Sequence, residues 1–577
     1  MTATPNLSAT YQCADGRDFP VEWATSEEAG KTWSWDPEHN PTPATPLDQA
    51  IWAGCGRGAG RARVECGFAE ADVFIGGGSF RWINGFNYWH SIAPTDEDAA
   101  RRAAASDRLR EKYGTGAAFW QQWCLPRSAR AVQQLRDSTG DEPVADLIDT
   151  FGYGFEQTFL MWGIDRDHPQ GFMREELGQE GDRIAVELTK GYPSATLEGD
   201  QALWELAQEA KQAPSLRKLF TEATPSLEEV AAVEGGAAFV EGFQRYLDHY
   251  GWRTLDWDPS TPTIRERPQA SLGMIRRTIV EDLPEPAALV AAAAEEREST
   301  ITELESRFRA DEAKLDEFRR RISVLPAYLG VKEGRALWQL SLGGALRHAL
   351  LLKGQRLVEG GRLGSAEDIF YLLPNEIDAG NPLPMAPSPM KGEGESDPPA
   401  ASSVKGEGES EYKAAGDPLP LTPSPMKEEG ESEYMVRVRE RRAERERWLG
   451  VIPPAEIGGE KPLEPASQGQ QAEIRGIAAS RGVFKGRARV LTSFEQYERL
   501  SRGDVLVCVT TTPAWTPLFA VAGAIVTDGG GMLSHGAIAA REYGIPAVVG
   551  ARAATRTIPD GAMVTVDGTG GVVRIEA

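Results

Sequence analysis

Between Ala524 and Gly550 a short apolar run, Ala524-Ile525-Val526-Thr527, passes through Asp528 and Gly529 into Gly530-Gly531-Met532-Leu533-Ser534-His535-Gly536-Ala537. It continues as Ile538-Ala539-Ala540-Arg541-Glu542-Tyr543-Gly544-Ile545-Pro546-Ala547-Val548-Val549-Gly550. The run predicts a strand, the glycines a turn, and the following segment a helix with His535 at its mouth. That order puts one imidazole among backbone N–H groups that have no partner inside the helix. Such a helix start attracts an anion by roughly 0.3–1 kcal/mol when exposed and by up to ~2 kcal/mol when partly buried. The stretch is therefore read as a place to hold a phosphoryl group. A histidine there can take the group and pass it on.

With 577 residues, 41% of them apolar, the chain is long enough for two or more domains with real cores. A formal charge of -24 repels nucleic acid and anionic membranes, so neither is expected as a partner. The one concentrated basic run, Arg437 to Arg447, alternates with glutamate and reads as a solvated helix face laced with ion pairs. Cys13, Cys55, Cys66, Cys124 and Cys508 are scattered without a C-x-x-C pair, which argues against a zinc site or a disulfide framework. No leader-like apolar segment opens the chain and no run reaches membrane-spanning length, so the cytoplasm is the expected location.

From about Thr25 to Leu373 the pattern is mostly helical. Leu337 to Leu352 is apolar at helical spacing but carries Arg347 and His348, as an amphipathic core helix does. A long helix is expected from Pro286, where proline suits a first turn. Ile301, Leu304, Phe308, Leu315, Phe318 and Ile322 alternate by three and four, with a break at Asp311, and predict a helical hairpin or bundle. Residues 381–434 hold a low-complexity direct repeat, Pro382 to Ser396 recurring as Pro418 to Ser432, and are read as a disordered insertion. Residues 453–471 are read as a flexible hinge. Gly54-Cys55-Gly56-Arg57-Gly58-Ala59-Gly60 lacks the ending of a phosphate loop and the spacing of a dinucleotide fingerprint, and is taken as a flexible loop.

At Gly530–Gly550 the chain resembles the phosphohistidine, or swivelling, domain of the enzymes related to phosphoenolpyruvate synthase. The resemblance extends through Ser480-Arg481-Gly482-Val483, Gly486-Arg487-Ala488-Arg489-Val490 and Thr511-Thr512-Pro513-Ala514-Trp515-Thr516-Pro517-Leu518-Phe519. Arg481 stands where the family has proline, and Thr512 where it has aspartate. Upstream, Trp35-Asp36-Pro37-Glu38-His39-Asn40-Pro41-Thr42-Pro43, Asn84-Gly85-Phe86 with Tyr88, Tyr250-Gly251-Trp252-Arg253 with Asp256 and Asp258, and Glu367-Asp368-Ile369-Phe370-Tyr371-Leu372 are similar to segments of the rifampicin phosphotransferases.

The resemblance implies a multidomain chain: a mainly α-helical substrate-binding domain (1–452), then a small α/β swivelling phosphohistidine domain (472–577). It implies His535 as the phosphoryl carrier, with Gly530, Gly531, Ser534 and Gly536 holding the phosphate and Arg541 as a further contact. Arg253 would clamp the phosphoryl group or an acidic substrate, and Asp256 or His39 would take the acceptor's proton. Trp33, Trp35, Trp82 and Trp89 would suit an aromatic pocket, although core packing would explain such residues as well. Because the family's ATP-grasp module has no counterpart here, ATP and Mg²⁺ are expected on a separate ATP-grasp subunit. The expected acceptor is a hydroxyl of a small aromatic or alcoholic compound. No metal ligands are assigned in this chain. The alternatives are a phosphocarrier or regulatory protein and a binding protein without catalysis.

Overall fold

The computed structural model describes all residues except 1–6, 14, 71–77, 161–168, 194, 381–431, 460–472, 533 and 577. Most of the insertion expected at 381–434, the second half of the hinge and His168 lie outside the described residues. The chain is multidomain, with a helical N-terminal region and a C-terminal α/β sheet domain.

The N-terminal region is not purely helical. A hairpin of β1 (Ser8–Gln12) and β2 (Asp18–Glu22) packs on a four-stranded antiparallel sheet. That sheet joins β3 (Thr32–Trp35), β4 (Gly78–Ile83), β5 (Phe86–Ser91) and β6 (Glu456–Gly458) in the order β4-β5-β3-β6. Phe19, Val21, Trp33, Phe86, Tyr88, Trp448 and Ile457 fill the space between. β6 corrects the hinge reading: Ile457 pairs with Trp33, so 456–458 is fastened to the N-terminal sheet instead of swinging. The glycine run at 54–60 is also not a loop. It ends the helix Pro46–Gly54 and opens the helix Gly56–Glu65, where a Cβ on Gly58 would lie 2.0 Å from the Asp149 carbonyl oxygen. The glycine there serves close helix packing.

The expected hairpin is present as Pro286–Phe308 and Glu312–Glu359. Asp311 breaks the apolar spacing because it caps the second helix, its side chain accepting from the Lys314 amide. Phe308 and Phe318 then meet across the turn at 5.6 Å. The basic helix Glu433–Trp448 departs from the solvated reading: Arg437 and Arg441 both reach Glu376, and Arg442 reaches Asp368. Its charges dock it on the body. Among the described residues no helix is long and apolar enough to cross a membrane.

The C-terminal domain is built on an eight-stranded sheet: β7 (Glu473–Arg475), β8 (Ile477–Ser480), β9 (Val483–Leu491), β10 (Val505–Cys508), β11 (Ala524–Thr527), β12 (Ala547–Val549), β13 (Met563–Asp567) and β14 (Val572–Ile575). Their order is β7-β14-β13-β9-β10-β11-β12-β8, with β9 to β12 parallel. β10 and β11 are buried on both faces, as parallel strands covered on each side must be. Val505, Val507 and Val526 face one core, while Leu506, Cys508 and Ile525 face another. The second core is shared with the helical body: Phe243, Leu247, Leu272 and Ile275 belong to the same cluster as Trp515, Phe519 and Tyr543. The histidine domain is thus docked on the body.

Both departures from the family pattern serve this seam. Thr512 donates its hydroxyl to the Leu255 carbonyl at 2.9 Å, and Arg481 pairs with Glu187 at 2.9 Å.

Candidate phosphoryl-transfer site

His535 is the first residue of the helix His535–Glu542, which connects β11 to β12. The C-terminal end of a parallel strand feeding a helix is where α/β sheets present ligands. Ser534 takes the N-cap position with extended backbone, yet its side chain makes no capping hydrogen bond. The half-buried imidazole has Nε2 3.1 Å from Thr516 Oγ1 and meets Phe519 edge to face at 6.4 Å. Thr516 also donates to the Pro513 carbonyl at 2.9 Å. A hydroxyl has one proton, so with that bond made its oxygen is placed to accept from Nε2–H and to orient the ring. Thr516 lies in the segment Thr511–Phe519, and only the fold brings its hydroxyl to His535.

The glycines differ in what they do. Gly530 has φ +97°, and a Cβ there would sit 2.8 Å from Ser534 Oγ. A Cβ on Gly536 would lie 2.7 Å from Thr511 Oγ1. Gly531 meets nothing within 4 Å, so space does not require glycine at that position. Arg541 is tied into the loop by two backbone carbonyls. It is buried, and its guanidinium donates to the carbonyls of Ala479 and Met532, each at 2.9 Å. It braces the loop that carries His535.

Across from this loop lies the turn 36–40. A Cβ on Gly529 would meet Pro37 Cγ at 3.6 Å and the Glu38 amide nitrogen at 3.7 Å. Asp36 closes the turn by accepting from the amides of Glu38 and His39, and its Oδ2 lies 2.9 Å from His39 Nδ1. The His39 side chain is 57% exposed. Its protein surroundings oppose the charge, but the adjoining Asp36 carboxylate outweighs them and pushes the imidazole up to about 9. The His39 ring lies 5.5 Å from Trp257, on the loop that also carries Asp256. Burial raises the Asp256 carboxyl to about 6, against the opposing pull of the Trp257 amide and His39. At neutral pH the pair is therefore a cation and a carboxylate. Only Asp256 can accept a proton.

Arg253, three residues before Asp256, does not join them. It is 5% exposed, donates to the Tyr250 carbonyl at 3.0 Å and faces Asp200 in the seam between the domains. A cavity of about 30 Å³ lies there, lined by Asp200, Arg253, Ser271, Pro513 and Pro517, with room for about one water. The structure thus brings His39 and Asp256 together opposite the glycine loop, and leaves Arg253 as part of the docking surface.

Residues 500–571 match the mobile domain of PEP-utilising enzymes, and residues 157–333 match the fourth domain of rifampicin phosphotransferase. A chondramide synthase of Chondromyces crocatus is 28% identical over 97% of this chain, which covers 14% of that protein. The uncharacterised phosphotransferase YvkC of Bacillus subtilis is 29% identical over 70% of the chain and 45% of its own length. A rifampicin phosphotransferase of a Streptomyces species is 29% identical over 60% of the chain and 36% of its length. The chain therefore spans less than half the length of each of these relatives. It resembles the rifampicin phosphotransferases and carries the PEP-utilising mobile domain.

Proposed function

We propose that this chain carries a phosphoryl group on His535 and transfers it to a hydroxyl of a small aromatic or alcoholic acceptor bound on the helical body. One observation supports the reading above the others: the glycine loop ending at His535 borders the turn of His39, with Asp256 beside it.

In the transfer step the acceptor oxygen attacks phosphorus, the N–P bond breaks, and the imidazole keeps the electron pair. The acceptor's proton passes to the Asp256 carboxylate. His39, held protonated by Asp36, and the helix start at His535 neutralise charge on the phosphoryl oxygens. Phosphoryl transfer gains most from positioning and charge neutralisation, which these groups supply.

The nucleotide step belongs to the same proposal in coarser form. Among the described residues no group of three or more His, Cys, Asp or Glu side chains can hold a metal ion, and the glycine run at 54–60 is helical. We assign ATP and Mg²⁺ to an ATP-grasp subunit working with this chain, on the strength of the family resemblance.

The test is transfer of the labelled β-phosphate of ATP to this chain, with and without an ATP-grasp protein encoded beside it. Acid-labile, base-stable label at His535, discharged by a hydroxyl acceptor, is the expected result. Absence of label with an active ATP-grasp protein would overturn the reading.

A further inference from the structure

Arg552, three residues past the end of β12, has φ +61°. The other non-glycine residues with positive φ among those described are Asn84 and Asp282, whose short polar side chains tolerate that conformation. A long arginine gains nothing from it, and glycine is the default occupant of such a position. Strain of this kind collects at ligand clamps and active sites.

The backbone at Arg552 forms the rim of the glycine loop. The amides of Gly550, Ala551 and Arg552 donate in turn to the carbonyls of Gly529, Thr527 and Asp528, at 3.0, 2.9 and 2.9 Å. A Cβ on Gly550 would lie 2.9 Å from the Gly530 carbonyl oxygen, and Gly530 in turn abuts Ser534, the residue before His535. Arg552 is exposed, as is Arg556, whose guanidinium donates to the Arg552 carbonyl at 2.9 Å. Among the described residues no carboxylate pairs with either arginine. Asp528 feels the charge of Arg556 but commits both of its carboxylate oxygens to Thr555. Two like charges anchored four residues apart without a counterion raise the local potential, and an anion relieves it. The acceptor side of the loop is the turn of His39, which Gly529 borders. Arg552 and Arg556 make no hydrogen bond or ion pair with the described residues of the helical body, so they stay open to an incoming molecule while the domain is docked.

We propose that Arg552, with Arg556 beside it, is the clamp for the phosphoryl donor: the pair holds the phosphate chain of a polyphosphate ester while His535 takes up its phosphoryl group. A guanidinium matches phosphate oxygens with two parallel N–H bonds and keeps its charge at every working pH. The fold requires the left-handed turn between β12 and the helix Ala554–Thr557; the clamp accounts for the arginine that occupies it. This assignment rests on the proposed function and deepens it by naming the site that receives the donor's phosphates.

The experiment measures binding of tripolyphosphate to the full chain at low salt. In the wild-type protein with isotope-labelled arginine, the Nε–H signal of Arg552 is expected to shift saturably as tripolyphosphate is added. Arg552→Gly removes the guanidinium and the backbone strain together. It is expected to bind tripolyphosphate about three- to tenfold more weakly and yet to melt at a higher temperature than the wild type. Arg556→Gln is expected to weaken binding about two- to fivefold, with no gain in melting temperature. Labelling of His535 from ATP by an ATP-grasp protein should slow in Arg552→Gly. An unmoved Arg552 signal, or wild-type affinity in Arg552→Gly, would overturn the clamp. Arg552-dependent binding of tripolyphosphate to a chain that takes no label from an active ATP-grasp protein would overturn the proposed function and leave the polyphosphate site standing.

Discussion

Tyr543, at the end of the helix that begins with His535, donates its hydroxyl to Asp200 Oδ2 at 3.1 Å across the seam between the domains. Burial raises the Asp200 carboxyl to about 7, although Arg253 and the Tyr543 hydroxyl pull it down. A carboxyl raised in the docked state favours docking while it is protonated. That contribution is full below the ordinary aspartate value of about 3.8 and is lost as pH rises toward 7. A carrier domain must leave its dock, so raising pH from about 5 to 8 should loosen the seam. Distance measured between labels on the two domains should increase over that range in the wild type. In Asp200→Asn the pH dependence should disappear; retention of the full change would show that Asp200 does not govern docking.

Thr516 helps to set the imidazole of His535 through a 3.1 Å contact. Thr516→Val keeps the shape and deletes the hydroxyl, at a cost of about 1 kcal/mol in orientation. The rate of His535 labelling should fall roughly fivefold, with a lowered melting temperature from loss of the buried bond to Pro513. His535→Ala should abolish labelling altogether. A Thr516→Val protein labelled at the wild-type rate would remove Thr516 from the site.

The His39 and Asp256 pair predicts a bell-shaped pH profile for discharge of phosphohistidine to an acceptor. The acid limb should follow Asp256, which must lose its proton near 6 to act as base, and the alkaline limb should follow His39, which loses its charge near 9. Asp256→Asn should flatten the acid limb and lower transfer by about 10²–10⁴. His39→Gln should erase the alkaline limb. Neither should reduce labelling of His535. Unaltered limbs in both variants would assign the profile to other groups.

Gly530 combines φ +97° with a Cβ direction blocked by Ser534. Gly530→Ala should therefore strain the loop by about 1–3 kcal/mol and lower both stability and labelling. Gly531→Ala, whose Cβ direction is open, should change stability far less. Thermal melts of the two variants give the comparison, and equal losses would contradict this account of the loop.

The helix start at His535 was legible because the chain marks it locally, with an apolar run, a glycine turn and a helix in sequence. The same holds for Asp311, whose polar side chain interrupts a heptad where a cap is needed. What the sequence hid is set by partners far along the chain. Arg541 reads as a cation near a phosphate until its guanidinium is seen on the carbonyls of Ala479 and Met532. Arg253 and Asp256 are three residues apart, yet one enters the seam and the other meets His39. Trp35 and Trp82 are indistinguishable by composition; only the pairing of β4 and β5 separates a core ring from one on the other face. Strand β6 was read as hinge because three residues among prolines and glycines carry too little pattern to predict a strand.

Arg347 joins the long helix to the loop that carries Asp256. It is 1% exposed, its Nε reaches both Glu266 oxygens at 3.0 and 2.9 Å, and Nη1 donates to the Ser260 carbonyl at 2.7 Å. A further bond to Glu367 at 2.7 Å involves a carboxylate that is mostly exposed. Glu266 in turn accepts from the amide and hydroxyl of Thr263, so this guanidinium is one of the ties that hold the loop on the body. Removing one partner of a buried ion pair costs ~3–5 kcal/mol, whereas an exposed pair is worth under about 1 kcal/mol. Arg347→Met should therefore lower the melting temperature much more than Glu367→Gln. Because the loop positions Asp256, discharge to an acceptor should suffer in Arg347→Met even at temperatures where the variant is folded, while labelling of His535 continues. Arg347→Lys should not restore discharge, since an ammonium cannot span Glu266 and Ser260 together. Full discharge activity in Arg347→Met would show that the loop holds its shape without the buried guanidinium.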